Sequence, residues 1–118
     1  MVVLLELQAC ATVAPAPPRP VIETASGSAS YIAESLAGRR TASGARFDPQ
    51  QNVAAHRTLP FGTRLRVTNL RNDRSVIVTV NDRGPFRRGR IVDLSKRAAR
   101  EIDLGAEGLA QVRLDVLD

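Results

Sequence analysis

A single carboxylate stands at the end of an alternating run in this chain. Ser75-Val76-Ile77-Val78-Thr79-Val80 reads as a half-buried strand with Val76, Val78 and Val80 on one face. It leads into Asn81-Asp82-Arg83-Gly84-Pro85-Phe86, where Gly84-Pro85 breaks the strand. Asp82 is therefore held on a rigid strand end beside an arginine and a turn, a place where one catalytic acid can be aimed accurately. The alternative is an Asx turn, in which Asp82 bonds only its own backbone. The one histidine, His56, lies twenty-six residues upstream. Alone in Ala54-Ala55-His56 it reads either as a packed or surface residue or as a partner for an acid. Asp48 precedes Pro49, which suits a helix cap as well as a functional carboxylate. With one histidine and one cysteine, no metal site and no cofactor are expected.

The elements that must position these groups are short. Arg64–Leu70 alternates with Leu65 and Val67 inward and should pair with Ser75–Asn81 through the turn Arg71-Asn72-Asp73-Arg74. Ile91–Leu94 reads as a strand, with Ser95 capping a helix over about 96–102 that carries Ala98 and Ala99. A last strand is expected over Gln111–Leu117, and a first one near Ser28–Ile32. Asp48-Pro49 predicts a short helix over 49–52, residues 37–46 a loop, and Asp93 a capping role towards Ser95. Several short strands with few helices suit a closed barrel, which leaves no sheet edge free.

The 118 residues suffice for one domain with a modest, aliphatic core, since there are three Phe, one Tyr and no Trp. The net charge of +5 is local: residues 39–90 hold twelve arginines against Asp48, Asp73 and Asp82, and Lys96 is the single lysine. Such a face attracts polyanions or is simply solvated. A nucleic-acid partner is not expected, because the aromatics that would stack bases are missing. Residues 1–27 read as a truncated lipoprotein signal and a Pro-rich disordered linker, and 28–118 as the folded domain. Leu7-Gln8-Ala9-Cys10 looks like a lipobox, with Cys10 as the lipidation site and Ala14–Pro20 as a tether. No apolar stretch is long enough to span a membrane.

Several ordered blocks then add up. They are Ala29-Ser30-Tyr31, Gly38-Arg39-Arg40-Thr41-Ala42-Ser43-Gly44, Phe47-Asp48 and Ala54–Thr63, followed by Val67–Leu70, Asn81–Phe86 and Arg90–Ser95. Together they resemble the rare lipoprotein A (RlpA) family of bacterial peptidoglycan lytic transglycosylases over roughly residues 28–117. The resemblance implies a mainly β fold, a six-stranded double-psi β-barrel with one or two short helices. It implies cleavage of glycan strands between N-acetylmuramic acid and N-acetylglucosamine, giving 1,6-anhydro ends during wall remodelling and septation. The muramyl C6 hydroxyl is then the nucleophile, so one carboxylate suffices where ordinary glycosidases need two. Asp82 matches the family's Asp in Asn-Asp-Arg-Gly-Pro and is assigned as general acid/base; His56 matches a functional position and Asp48 an acidic one, with catalytic roles expected for both. Arg39, Arg40, Arg83 and Arg87 are candidates for gripping polar groups of the substrate. A monomer in the periplasm or at the outer membrane is implied, lipid-anchored if Cys10 is processed.

Three departures stand out. Ala45 replaces the family's usual acid after Thr41-Ala42-Ser43-Gly44, Ile32 and Ala33 replace a second aromatic and a glycine, and Asp73 stands where glycine is more common. The loss at position 45 keeps a second reading open: a non-catalytic, expansin-like peptidoglycan-binding protein on the same barrel.

Overall fold

The computed structural model describes residues 21–117. Cys10 and the Pro-rich stretch lie outside the described residues. Six strands follow in chain order: β1 (Val21–Tyr31), β2 (Val53–Ala55), β3 (Arg64–Asn69), β4 (Ser75–Asp82), β5 (Arg90–Leu94) and β6 (Ala110–Leu117). Among the described residues, one α-helix, α1 (Lys96–Glu101), sits between β5 and β6, and one 3-10 turn spans Glu34–Leu36. The strands close into a barrel in the order β1-β5-β2-β4-β3-β6, with β6 paired back to β1. Two contacts are parallel, β1 with β5 and β2 with β4, and the rest are antiparallel.

Side-chain alternation explains the long strands. In β4, Val76, Val78 and Val80 are buried while Ile77 is exposed. They meet Leu65 and Val67 of β3 across a hairpin that runs from Arg64↔Thr79 to Thr68↔Ser75. Val112 and Leu114 of β6, with Val92 and Leu94 of β5, complete the barrel interior. Ala98, Ile102 and Leu104 close it from the helix side. Each such aliphatic side chain contributes about 1.5–3 kcal/mol by leaving water, and the barrel cluster they form holds no aromatic, the buried Phe47 lying outside it.

Two buried polar side chains, Asp115 and Asn69, tie the seams together. Asp115, on β6 and almost fully buried, accepts a hydrogen bond from Thr24 Oγ1 (3.0 Å) and pairs with Arg66 (3.5 Å) and Arg113 (3.3 Å). It thereby ties β1, β6 and β3 together without leaving a bare buried charge. Asn69, at the end of β3 and fully buried, donates from Nδ2 to the Ile102 carbonyl (2.9 Å) and accepts the Arg71 N–H at Oδ1 (3.0 Å). The hairpin turn is thus fastened to the end of α1.

Four local expectations change. β1 begins at Val21, seven residues before Ser28, because the alternating β6 pairs with it from Ala110↔Ala29 to Leu117↔Val21 and supplies a partner for a stretch without alternation of its own. Residues 49–52 form a turn instead of a helix: the Asp48 carbonyl accepts the Gln51 N–H (3.1 Å), and the chain enters β2 two residues later. β2 itself was not expected. Its three residues are all buried between β4 and β5, so they show no alternation. Asp93 does not cap α1. Ser95 does so itself, accepting the Ala98 N–H (3.3 Å), while Asp93 Oδ1 takes the Ser30 hydroxyl across the parallel β1–β5 pair.

Candidate active site

Asp82 is the last residue of β4, where that strand leaves the barrel beside β2 in the register Ala55↔Asp82. The pairing shifts by one residue between Ala54 and Ala55, and the His56 N–H reaches the Asp82 carbonyl (3.1 Å). The strand end is therefore held from both sides. Its carboxylate is held as well. Asp82 Oδ1 accepts the N–H of Arg83 (2.8 Å) and, from forty residues upstream, the N–H of Ala42 (2.9 Å). Oδ2 carries no hydrogen bond among the described residues. Two backbone donors on one oxygen fix the rotation of the carboxyl and leave the other oxygen to exchange a proton.

The Ala42 donor exists because residues 41–45 fold into a closed loop. The Thr41 N–H and hydroxyl both donate to the Ala45 carbonyl (2.7 Å each), and Gly44 N–H donates to the Thr41 carbonyl (2.9 Å). Arg40 braces the loop by donating to the Gly44 carbonyl (2.9 Å). Ser43 N–H docks it on the Asn81 carbonyl (3.2 Å). Thr41-Ala42-Ser43-Gly44 is thus a backbone clamp on Asn81-Asp82, and Ala45 sits on its returning limb.

Asp82 lines a cavity of about 280 Å³. Arg39, Arg40 and Thr41 supply its polar side, and Ile32 and Phe47 its apolar side. The arginine pair and the acid are therefore brought together. Arg39 makes no side-chain hydrogen bond or ion pair among the described residues, so its guanidinium is available to a ligand.

The other expected residues are placed differently. Arg83 donates to the carbonyls of His56 (3.1 Å) and Leu59 (2.8 Å), and its guanidinium lies 4.0 Å from the centre of the Phe61 ring. It holds the 56–61 segment against the strand end. His56 accepts the N–H groups of Thr58 and Leu59 at Nδ1 (3.2 Å each), so a neutral ring carries its proton on Nε2. The ring lines a separate cavity of about 100 Å³ with Leu59, Leu114 and Val116. Asp48 is exposed and accepts the Gln50 N–H at Oδ1 (2.9 Å), an Asx turn that lies outside the lining of the Asp82 cavity. Arg87 stands exposed on the loop after Gly84, also outside that lining.

Two features escape a reading of residue types. The Ala42 N–H is a backbone group, which no side chain announces. Phe86, 78 % exposed on the loop four residues after Asp82, is the most exposed large apolar residue among the described residues. Its only signal in the sequence is an aromatic just after a breaker pair.

Known proteins decide the family. Residues 24–114 match the family model described as "Lytic transglycolase". The chain is a lytic transglycolase family member. It is 60 % identical over 84 residues to the "Probable endolytic peptidoglycan transglycosylase RlpA" of Nostoc sp., covering 71 % of this chain and 23 % of that protein. It is 52 % identical over 95 residues to the "Endolytic peptidoglycan transglycosylase RlpA" of Campylobacter jejuni, covering 80 % and 34 %. This lytic transglycolase chain thus spans only about a quarter to a third of the length of these relatives. Among solved structures, the Streptomyces papain inhibitor (SPI) superposes with a TM-score of 0.63 at 22 % identity, covering 86 % of this chain and all of that one. An expansin of Clavibacter michiganensis gives 0.63 at 22 %, covering 81 % and 51 %. At that identity the likeness is one of fold, and the fold of this family member is the double-psi β-barrel.

Proposed function

We propose that this barrel cleaves peptidoglycan glycan strands as a lytic transglycosylase in the cell envelope. The observation that carries the reading is Asp82. Its Oδ1 is fixed by two backbone N–H groups, and it sits in a cavity with Arg39; among the described residues neither Oδ2 nor the Arg39 side chain has a partner. The names of the relatives, endolytic peptidoglycan transglycosylases, supply the substrate class.

In this scheme protonated Asp82 gives its proton to the oxygen between N-acetylmuramic acid and N-acetylglucosamine. The C1–O bond breaks, and the N-acetylglucosamine leaves with a new hydroxyl. The muramyl C6 hydroxyl closes on C1, and its proton returns to the Asp82 carboxylate, so water is not consumed. Arg39 and Arg40 hold polar groups of the strand. His56 and Asp48 act through backbone: His56 N–H steadies the Asp82 carbonyl, and the Asp48 turn carries the chain from Phe47 in the cavity wall into β2. Processing at Cys10 would give a monomeric enzyme tethered to the outer membrane, and intact-mass analysis of the protein made from its native reading frame would show the lipid or its absence.

Digestion of purified murein sacculi tests the reaction. Release of 1,6-anhydro products, seen by mass spectrometry, is expected from the parent. Asp82→Asn keeps an acceptor for Ala42 and Arg83 but cannot donate an acidic proton, so a folded variant should release at least about a hundredfold less. A folded Asp82→Asn protein with near-parental turnover removes Asp82 as the acid. The placement of His56 in a different cavity, together with Ala45, favours the second reading, a barrel that binds the glycan without cutting it. Sacculus binding without anhydro products from the parent would select that reading.

A further inference from the structure

Among the described residues there is a larger cavity than the one beside Asp82. It measures about 360 Å³ and lies where β1 ends, against α1 and the loop that follows it. Tyr31 forms one wall. Its ring is held on one side by Lys96, whose Nζ lies 4.8 Å from the ring centre. On the other it rests on the bare backbone of Gly108, where a Cβ would come within 2.7 Å of Tyr31 Cε1. Gly108 also has φ of +71, so glycine is required there twice over. Arg100 and Asp103 share the lining, and Leu104 provides apolar surface.

The charges of this cavity are unspent. Neither Lys96 nor Arg100 has an ion pair among the described residues, whereas their neighbour Arg97 is paired with Glu101 (3.1 Å). Arg100 has only a long contact to Gln50 Oε1 (3.5 Å). Lys96 and Arg100 line the cavity with one carboxylate, Asp103, and a second, Glu107, lies beside the lining residue Gly105, a balance that suits a monoanion better than a dianion. The position is equally specific. Tyr31 lines this cavity and the next residue, Ile32, lines the Asp82 cavity, so the two open on either side of one chain segment.

We propose that this cavity is a carboxylate subsite for the acidic substituent of a muramic acid residue further along the strand, gripped by Lys96 and Arg100 against the Tyr31 wall. The proposal rests on the glycan reading above. The carboxylate has two possible sources, the lactyl group of a bare muramic acid or a peptide attached to it. Lys96, half-buried, and Arg100, exposed, make either one a charge-assisted contact.

The test uses Asp82→Asn protein, so that bound glycan is not consumed, with and without Lys96→Gln and Arg100→Gln together. Binding of N-acetylglucosamine–N-acetylmuramic acid oligosaccharides is measured by calorimetry in three forms: bare with free carboxylates, bare with carboxylates methyl-esterified, and peptide-bearing. The charge-neutral variant is expected to bind carboxylate glycan about tenfold more weakly, and the methyl ester as the Asp82→Asn parent does. Lys96→Arg with Arg100 intact is expected to keep most of the affinity. A loss seen on bare glycan assigns the lactyl carboxylate, and one confined to the peptide-bearing form assigns the peptide. Equal binding of all forms, or a loss that persists on the methyl ester, overturns the subsite. In otherwise parental protein the same pair of substitutions should raise KM and leave kcat in place. Cleavage by the parent with no such charge effect sinks the subsite alone. Carboxylate-dependent binding without cleavage sinks the enzyme reading and keeps the subsite, and no binding of any glycan sinks both.

Discussion

At the scale of single residues, the chemistry turns on how Asp82 is held and on what Ala45 lacks. The carboxyl is locked by two N–H donors, one of which belongs to the loop that Ala45 closes with its own carbonyl. Position 45 is therefore hydrogen-bonded to Thr41, a residue of the Asp82 cavity wall. A carboxylate introduced there adds a negative charge near the acid, which favours the protonated form that a donor needs, and offers a hydrogen bond to the sugar. Either effect is worth on the order of 1–3 kcal/mol of barrier. Ala45→Glu should accordingly raise the rate of anhydro-product release by about tenfold. The backbone bonds of the loop do not use the side chain of residue 45, so stability should change little. If parent and Ala45→Glu both bind sacculi and neither cuts them, the barrel is a binding module.

At the scale of elements, the hairpin turn shows how local chemistry and the barrel agree. Asp73, in the position where glycine is more common, has φ of 64, inside the left-handed region. Its N–H closes the turn on the Asn69 carbonyl (2.7 Å), and Asn69 is the buried anchor to the end of α1. An alanine there meets the full left-handed penalty, about 1–2 kcal/mol, which aspartate meets only in part and glycine avoids. Thermal or urea unfolding should rank Asp73→Gly at least equal to the parent and about 1 kcal/mol above Asp73→Ala. An Asp73→Ala protein as stable as Asp73→Gly would mean that the turn relaxes to another conformation. This hairpin was legible beforehand because both strands alternate and carry their own turn. The same holds for β5, for the Ser95 cap and for β6. What stayed hidden has a common cause. β2 is three small buried residues with no period, and the start of β1 depends on a partner ninety residues away in sequence, as Ser26↔Arg113 and Ala25↔Leu114 illustrate. The site divides along the same line. Asp82 and the arginines announce themselves by type. The Ala42 N–H that aligns the acid and the Gly108 backbone that supports Tyr31 are visible only once distant segments meet.

At the scale of the whole molecule, the basic balance becomes a statement about binding and not about chemistry. The chain carries +5, with its arginines concentrated over residues 39–90. The structure spends some of them: Arg66 and Arg113 on Asp115, Arg97 on Glu101, and Arg83 on two carbonyls. Among the described residues, Arg39, Lys96 and Arg100 are left without ion pairs at the two cavities lined by Tyr31 and Ile32. Attraction of an acidic glycan to such exposed cations falls off with a screening length of about 10 Å at 0.1 M salt and about 3 Å at 1 M. Alignment of Asp82, by contrast, rests on backbone hydrogen bonds within 3 Å, whose short range makes them far less sensitive to screening. Raising salt from about 0.1 M to about 1 M should therefore weaken sacculus binding by about tenfold or more, while the rate at saturating glycan changes less than about twofold. Sedimentation binding and anhydro-product release, measured on one preparation across the salt series, separate the two. Binding indifferent to salt would show that the basic face is merely solvated, and a parallel fall in the saturated rate would show that charge acts on the bond-breaking step itself.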